Sequence, residues 1–245
     1  MAASWRQVTL LRAEIYRFLG HCMLEPFQAD RPSLLRPDFW RDFPLGPANG
    51  IMRAALEKLV AITAGLATLP RDAALQKVQL EYAALFLGFG EPQAPPWESM
   101  YRTTERFMFG SPAYRVRTAM LQFGVEVAAN CRQPEDHLGF ELMLLAAASD
   151  AAAAGEAPEW RESARRQAEF IATHPLGWIA DLERDASAYG SVGFYAALIG
   201  LIRGVLLWDA KLLGEYVASA SWWEFLPGRA MRHRESRKNR VLTRA

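Results

Sequence analysis

Two short stretches hold most of the side chains able to do chemistry. One is Pro134-Glu135-Asp136-His137, and the other is Pro95-Pro96-Trp97-Glu98-Ser99-Met100-Tyr101. An adjacent Asp–His pair is the raw material of acid/base catalysis, but no Ser or Cys nucleophile is marked out beside it. A proline followed by acids also suits the first turn of a helix, where the dipole favours negative charge. That explains Pro134, Glu135 and Asp136. It does not explain His137, whose cationic form the same dipole disfavours, and the expectation is that Asp136 offsets this by hydrogen bonding to it. In the second stretch, prolines stiffen an aromatic and acidic loop. Trp97 and Tyr101 either pin that loop to the body, or present an aromatic face and the Glu98 carboxylate to an apolar or cationic ligand.

Other chemistries find little support. His21-Cys22 and Cys131…His137 lack the spacing of metal ligands, so no metal site is expected. GFGEP at 88–92 lacks the third glycine, the preceding strand and the Lys-Ser/Thr of phosphate loops, and no G-x-S-x-G elbow occurs. Two cysteines make no disulfide framework, which points to a reduced, cytoplasmic setting. The longest apolar run, Val192–Ile202, falls short of the roughly 20 residues that span a bilayer.

Charge narrows the partner. The net charge is only +1, yet residues 229–245 carry seven basic side chains against Glu235 alone. The rest of the chain is therefore acidic, and residues 81–150 hold nine acids against five arginines. This asymmetry favours a cationic partner for the central stretch. The near-zero net charge would exclude a nucleic-acid binder only if it were evenly spread, and nucleic acid is not the expected partner.

The elements that must position these residues read as helices. Ala and Leu together number 70 against 25 for Val, Ile and Thr, with no period-2 alternation, so the fold class is all-α: a single-domain globule of about ten helices. Ser4 with Gln7 predicts a capping box that opens a helix to about Cys22, ended by Pro26. Further helices are expected from Ile51 to Leu66, from an Asp72 cap through Phe86, from a Ser111-Pro112 start to Phe123, and from Pro134 through Ala154. Then come 159–173, 175–186 and 192–213. Residues 88–103, with their prolines and glycines, are expected to hold no regular element. The expected division is a helical domain over 1–228 and a flexible basic tail over 229–245.

Placed in order, these motifs resemble a known family. Glu81-Tyr82-Ala83-Ala84-Leu85-Phe86-Leu87-Gly88 is similar to the E-Y-x-x-L-F-x-G segment of the TorD/DmsD/NarJ chaperones of molybdenum enzymes. PPWESMY resembles that family's PPWESVY loop, and Pro134-Glu135-Asp136-His137-Leu138 with Glu141-Leu142 resembles its D-H-I-x-x-E-L motif. Phe170-Ile171…His174-Pro175-Leu176…Trp178-Ile179 resembles a later F-L-x-x-H-L-x-x-W-L stretch. The PPWES form resembles the DmsD-like branch.

The resemblance implies a cytoplasmic, non-catalytic chaperone that binds the twin-arginine leader of a DMSO reductase family subunit, with Tat translocase components as further partners. It implies a leader site lined by Leu85, Phe86, Trp97, Pro134, Asp136 and His137, with Trp40 matched loosely. Glu98 and Tyr101 join them from the loop reading. No resident cofactor is expected; contact with GTP or molybdopterin would follow only from the family's role. Two readings stand beside this one: a helical hydrolase using Asp136–His137, and a helical scaffold whose basic tail binds nucleic acid or lipid.

Overall fold

The computed structural model describes residues 4–30, 32–88, 91–104, 108–127, 133–155 and 157–219. The basic extension 229–245 and Cys131 lie outside the described residues. The chain folds as one all-α globule. Its helices are α1 (Trp5–Leu24), α2 (Pro37–Arg41), α3 (Gly50–Leu66), α4 (Arg71–Tyr82), α5 (Ser99–Arg102), α6 (Ser111–Gln122), α7 (Leu138–Ala154), α8 (Ala157–Thr173), α9 (Ile179–Tyr189) and α10 (Phe194–Ala218). Among the described residues the strand-like pairing is an isolated antiparallel bridge between Trp97 and His137. None of the described helices is long and apolar enough to cross a membrane.

Helix α1 begins as its sequence dictates. Ser4 Oγ accepts the Gln7 N–H at 3.3 Å, and the Gln7 side chain accepts the Ser4 N–H at 2.8 Å. The helix then packs along α7, and glycines let the two backbones approach. A Cβ on Gly139 would sit 2.5 Å from Leu24 Cγ, and one on Gly20 would sit 3.1 Å from the Gly139 carbonyl. Helix α10, buried through most of its length, closes on α3 and α8. A buried ion pair ties three helices together. Arg12 Nε donates to Asp209 at 2.5 Å, Arg12 Nη2 donates to Gln167 at 2.7 Å, and the Tyr16 hydroxyl donates to Asp209 at 2.6 Å. Burial opposes the Arg12 charge, but Asp209 more than offsets it and holds the guanidinium above its ordinary range.

Several helix starts differ from the sequence expectation. Asp72 caps nothing: α4 opens after Pro70 with no side-chain cap. Ser111 is already inside α6, whose cap is Gly110. The last turn before Gly88, Ala83–Leu87, widens into a π-helix instead of continuing α4. Gly88 then adopts a φ of 59°, and a Cβ there would meet Pro92 N at 2.6 Å, so glycine is required. Residues 88–103, expected to be irregular throughout, contain the single-turn helix α5.

Glu81 serves the fold. Its side chain is buried, and its two oxygens accept the N–H groups of Val192, Gly193, Phe194 and Tyr195 at 2.6–3.2 Å. These are the donors that the start of α10 leaves without intrahelical partners. A carboxylate from α4 thus caps a helix more than a hundred residues further along the chain.

Candidate functional site

The loop 95–101 and the start of α7 are stitched together by backbone. Glu98 N–H donates to Asp136 O at 3.0 Å, and Leu138 N–H donates to Pro96 O at 2.9 Å. The loop is also anchored to the π turn, through Ala94 N–H on Leu85 O at 2.8 Å. Three motifs far apart in sequence therefore meet. Trp97 stands edge-on to His137 with ring centroids 5.7 Å apart, and Tyr101 stacks on Trp178 at 5.5 Å.

Helix α7 does not start at Pro134. Residues 134–137 form a turn, and His137 is the cap: its Nδ1 accepts the Gly139 N–H at 3.0 Å. This resolves the misfit of a histidine at a helix start. The ring is present as the neutral acceptor, so the dipole has no cation to repel, and burial lowers its pKa to about 3. The expected Asp136–His137 hydrogen bond does not form. Asp136 Oδ2 instead accepts the Ser99 N–H at 2.8 Å. An imidazole whose Nδ1 is committed to a backbone amide, and whose neighbour faces another residue, makes no acid/base dyad. The hydrolase reading loses its constellation.

Behind this seam lies a polar cluster that sequence spacing did not reveal. Glu98 Oε2 and His174 Nδ1 are 2.8 Å apart, and Glu98 Oε1 accepts from Arg102 Nη1 at 3.2 Å. Glu98, Glu141 and His174 are all buried, with one oxygen or nitrogen of each within 4.8 Å of the others. Burial pushes Glu141 well above the usual carboxylate range, and the charges of Glu98 and Asp136 push it further, while the nearby Trp178 indole favours the charged form. Burial and the two neighbouring carboxylates therefore favour the neutral form of Glu141. Asp136 is also raised, by burial first and by Glu98 in addition, against the opposing pull of Ser99. Three such groups are a familiar ligand set for a divalent ion. Here, however, Glu98 already spends one oxygen on Arg102 and the other on His174, and an ion would have to displace both.

Exposure changes the electrostatic expectation. Of the nine acids in residues 81–150, Glu81, Glu98, Asp136 and Glu141 are buried. By count, the other five match the five arginines of that stretch. Much of the acidic surplus is therefore interior, taken up by helix capping and hydrogen bonding among the described residues. Glu135, partly exposed, faces Arg117 at 3.7 Å.

The remaining residues fall into two groups. Leu85 and Phe86 lie in the packed interior, Phe86 edge-on to Tyr82 and Tyr195. Pro134 is buried at the turn before the cap, and Tyr101 is partly exposed. Trp40 packs elsewhere, among Phe18, Phe39 and Phe194, and donates to Leu34 O at 2.9 Å. His174 and Arg102 were missing from the residue-type argument. His174 meets its partner 76 residues away, so its only sequence signal was the H-P-L-x-W pattern, whereas Arg102 lies four residues after Glu98, the spacing of an ion pair within one helical turn.

An open groove of about 390 Å³ runs between α6 and α8 and ends at this cluster. Tyr114, Ala119, Phe123 and Phe170 give it apolar walls, Arg115, Arg166 and Glu169 line it as well, and Thr173 and His174 are part of its lining.

Comparison with known proteins follows this geometry. The family described as nitrate reductase delta subunit matches residues 50–184, more than half of the chain. The chain is 31% identical over 147 residues to the chaperone protein TorD of Vibrio cholerae, which covers 58% of this chain and 66% of that relative, just under two thirds. It is 27% identical over 184 residues to TorD of a Psychrobacter species, covering 72% and 79%. It is also 28% identical over 138 residues to a probable Tat proofreading chaperone, DmsD, of Haemophilus influenzae, covering 56% and 63%. The matched region contains the π turn, the 95–101 loop, the His137 cap and His174 together, and the chain belongs to the TorD/DmsD/NarJ family of chaperones, a non-enzymatic family.

Proposed function

We propose that this chain is a cytoplasmic maturation chaperone that binds the twin-arginine leader of a molybdopterin oxidoreductase subunit and holds it until cofactor insertion and export. The observation that carries this reading is the convergence of the π turn, the 95–101 loop and the start of α7 with His174, next to an open groove. A twin-arginine leader offers a cationic head followed by an apolar run. The groove walls Tyr114, Ala119, Phe123 and Phe170 suit the apolar run, which gains roughly 25 cal/mol for each Å² of apolar surface removed from water.

Trp97, Glu98, Pro134, Asp136 and His137, with Leu85 and Phe86 behind them, shape that surface from within. None of these residues, nor Tyr101, is part of the groove lining itself. Tyr101 is partly exposed on the adjoining loop, and Trp40 supports the core to one side. Trp97 retains a buried indole N–H with no hydrogen-bond partner among the described residues. The basic region 229–245, as a separate tail, and the Tat translocase as a later partner belong to the same proposal.

Calorimetric titration of a synthetic twin-arginine leader tests it. Micromolar binding is expected in the wild type and weaker binding in Trp97→Ala, with helical circular dichroism retained. Absence of binding to every such leader encoded beside molybdoenzyme genes in the source genome would refute the reading.

A further inference from the structure

Arg102 is held in a slot that is built for a guanidinium. Its Nη1 donates to Glu98 Oε1 at 3.2 Å and also to the backbone carbonyl of Thr173. Thr173 is the last residue of α8, so that carbonyl is one of the acceptors a helix end leaves unfilled, at the negative end of the dipole. The wall of the slot is Gly177. A Cβ there would come within 2.5 Å of Arg102 Nη1 and 3.2 Å of its Cζ, so a side chain at 177 would push the guanidinium out of its present position. Glu98 itself is fully buried and positioned by His174 at 2.8 Å. The Arg102 side chain is 36% exposed, so the slot opens to solvent. Thr173, one of its walls, also lines the groove between α6 and α8.

We propose that this slot is an arginine-recognition subsite, filled by Arg102 in the free chain and by an arginine of the bound peptide in the complex. The inference deepens the leader-binding reading and rests on it. Its chemistry is exchange. One guanidinium leaves a carboxylate and a helix-end carbonyl and another takes its place, so the buried Glu98 is never left without a cation. Such an exchange avoids the large cost of an unpaired buried charge. It also favours arginine over lysine, because the weakly hydrated guanidinium, passing close against Gly177, leaves water at less cost than a compact ammonium, even though a single nitrogen, Nη1, meets both acceptors. The adjoining groove receives the residues that follow. An arginine next to an apolar run is the order in which a twin-arginine leader presents them.

The test compares twin-arginine and twin-lysine versions of one leader peptide on wild-type protein, Arg102→Ala and Gly177→Ala. Removing the internal competitor should raise the arginine-over-lysine preference of Arg102→Ala by at least about tenfold, the scale of one charge-assisted hydrogen bond. Filling the wall in Gly177→Ala should bring that preference close to one. Unchanged preference in a folded Arg102→Ala, or preference retained in Gly177→Ala, overturns the subsite. A third arm uses N-acetyl-arginine amide, which should raise the melting temperature of Arg102→Ala while the lysine analogue does not. If no variant binds either peptide, the leader reading fails, and the amide arm alone decides the slot. If Arg102→Ala does not fold, Gly177→Ala decides it.

Discussion

The neutral His137 cap makes a prediction that acid titration can refute. The folded ring has a pKa of about 3, against an ordinary value of 6.5, because burial penalises its charge. A depressed pKa means that the unfolded chain binds the proton first. The stability His137 confers is therefore fully present above 6.5 and is lost as pH falls toward 3. For one site, linkage gives a loss of about 2 kcal/mol between about pH 7.5 and about pH 5. The ring is 3% exposed, so solvent screening removes little of this.

The control is His137→Asn, whose side-chain oxygen can accept the same Gly139 N–H without titrating. Urea denaturation at the two pH values yields four free energies. The wild type should lose about 2 kcal/mol more than the variant on acidification, whatever the absolute stability of either. Cancelling the common pH dependence matters, because Asp136 and Glu141 titrate in the same seam and remain in both proteins. Equal losses in wild type and variant would mean that His137 is charged or solvated in the folded state, and the cap assignment would fall.

Three further outcomes follow from the same packing. Glu141 has a raised pKa, so its burial costs stability increasingly as pH rises above the ordinary 4.5; Glu141→Gln should match the wild type in acid and gain on it toward alkaline pH, read by thermal melts across pH. Asp209→Asn strands the buried Arg12 charge and should cost about 3–5 kcal/mol in chemical denaturation, whereas an exposed pair such as Arg165–Glu162 should cost well under that. Gly139→Ala drives a methyl into Leu24 at 2.5 Å and should cost about 1–3 kcal/mol by calorimetry, with the α1–α7 contact the part that loosens.

What the sequence made legible was the information carried locally. The Ala and Leu surplus fixes the class, and the Ser4…Gln7 box fixes the start of α1, because both partners sit within one turn. Caps not made by a neighbouring side chain were misread or missed. Asp72 and Ser111 look like caps, but the Pro70 and Gly110 backbones enter their helices without side-chain help. The first turn of α10, with a left-handed Gly193 as its cap residue, is satisfied by Glu81 from another helix, which no window around 193 contains. The site followed the same division. Trp97, Glu98, Asp136 and His137 stood out by type and neighbourhood. That Asp136 turns to Ser99, that His174 completes the cluster, and that Arg102 also reaches the Thr173 carbonyl depend on contacts that span from 37 to 76 residues, whereas Arg102 meets Glu98 within one turn.

The same contrast corrects the argument from charge. Counting acids between 81 and 150 located the interesting segment, but for a reason opposite to the one first inferred. A solvent-exposed acidic surplus attracts cations over a Debye length and fades with salt. Four interior carboxyls do something else: each needs a specific donor, and each penalises any state in which the donor is absent. Glu81 is satisfied by backbone N–H groups, Asp136 accepts one on Oδ2, and burial and neighbouring carboxylates favour the neutral form of Glu141. Glu98 is the exception, since its partner is a side chain that is 36% exposed. Among the described residues of this segment, that makes Glu98 the buried carboxyl whose partner can be exchanged from solvent without breaking a helix cap or a turn. Arginine recognition at this site should accordingly be short-ranged and weakly salt-dependent. Raising ionic strength from about 0.05 to about 0.5 M should leave the arginine-over-lysine preference nearly constant while overall affinity drifts. A preference that collapses with salt would place recognition on the surface, away from Glu98.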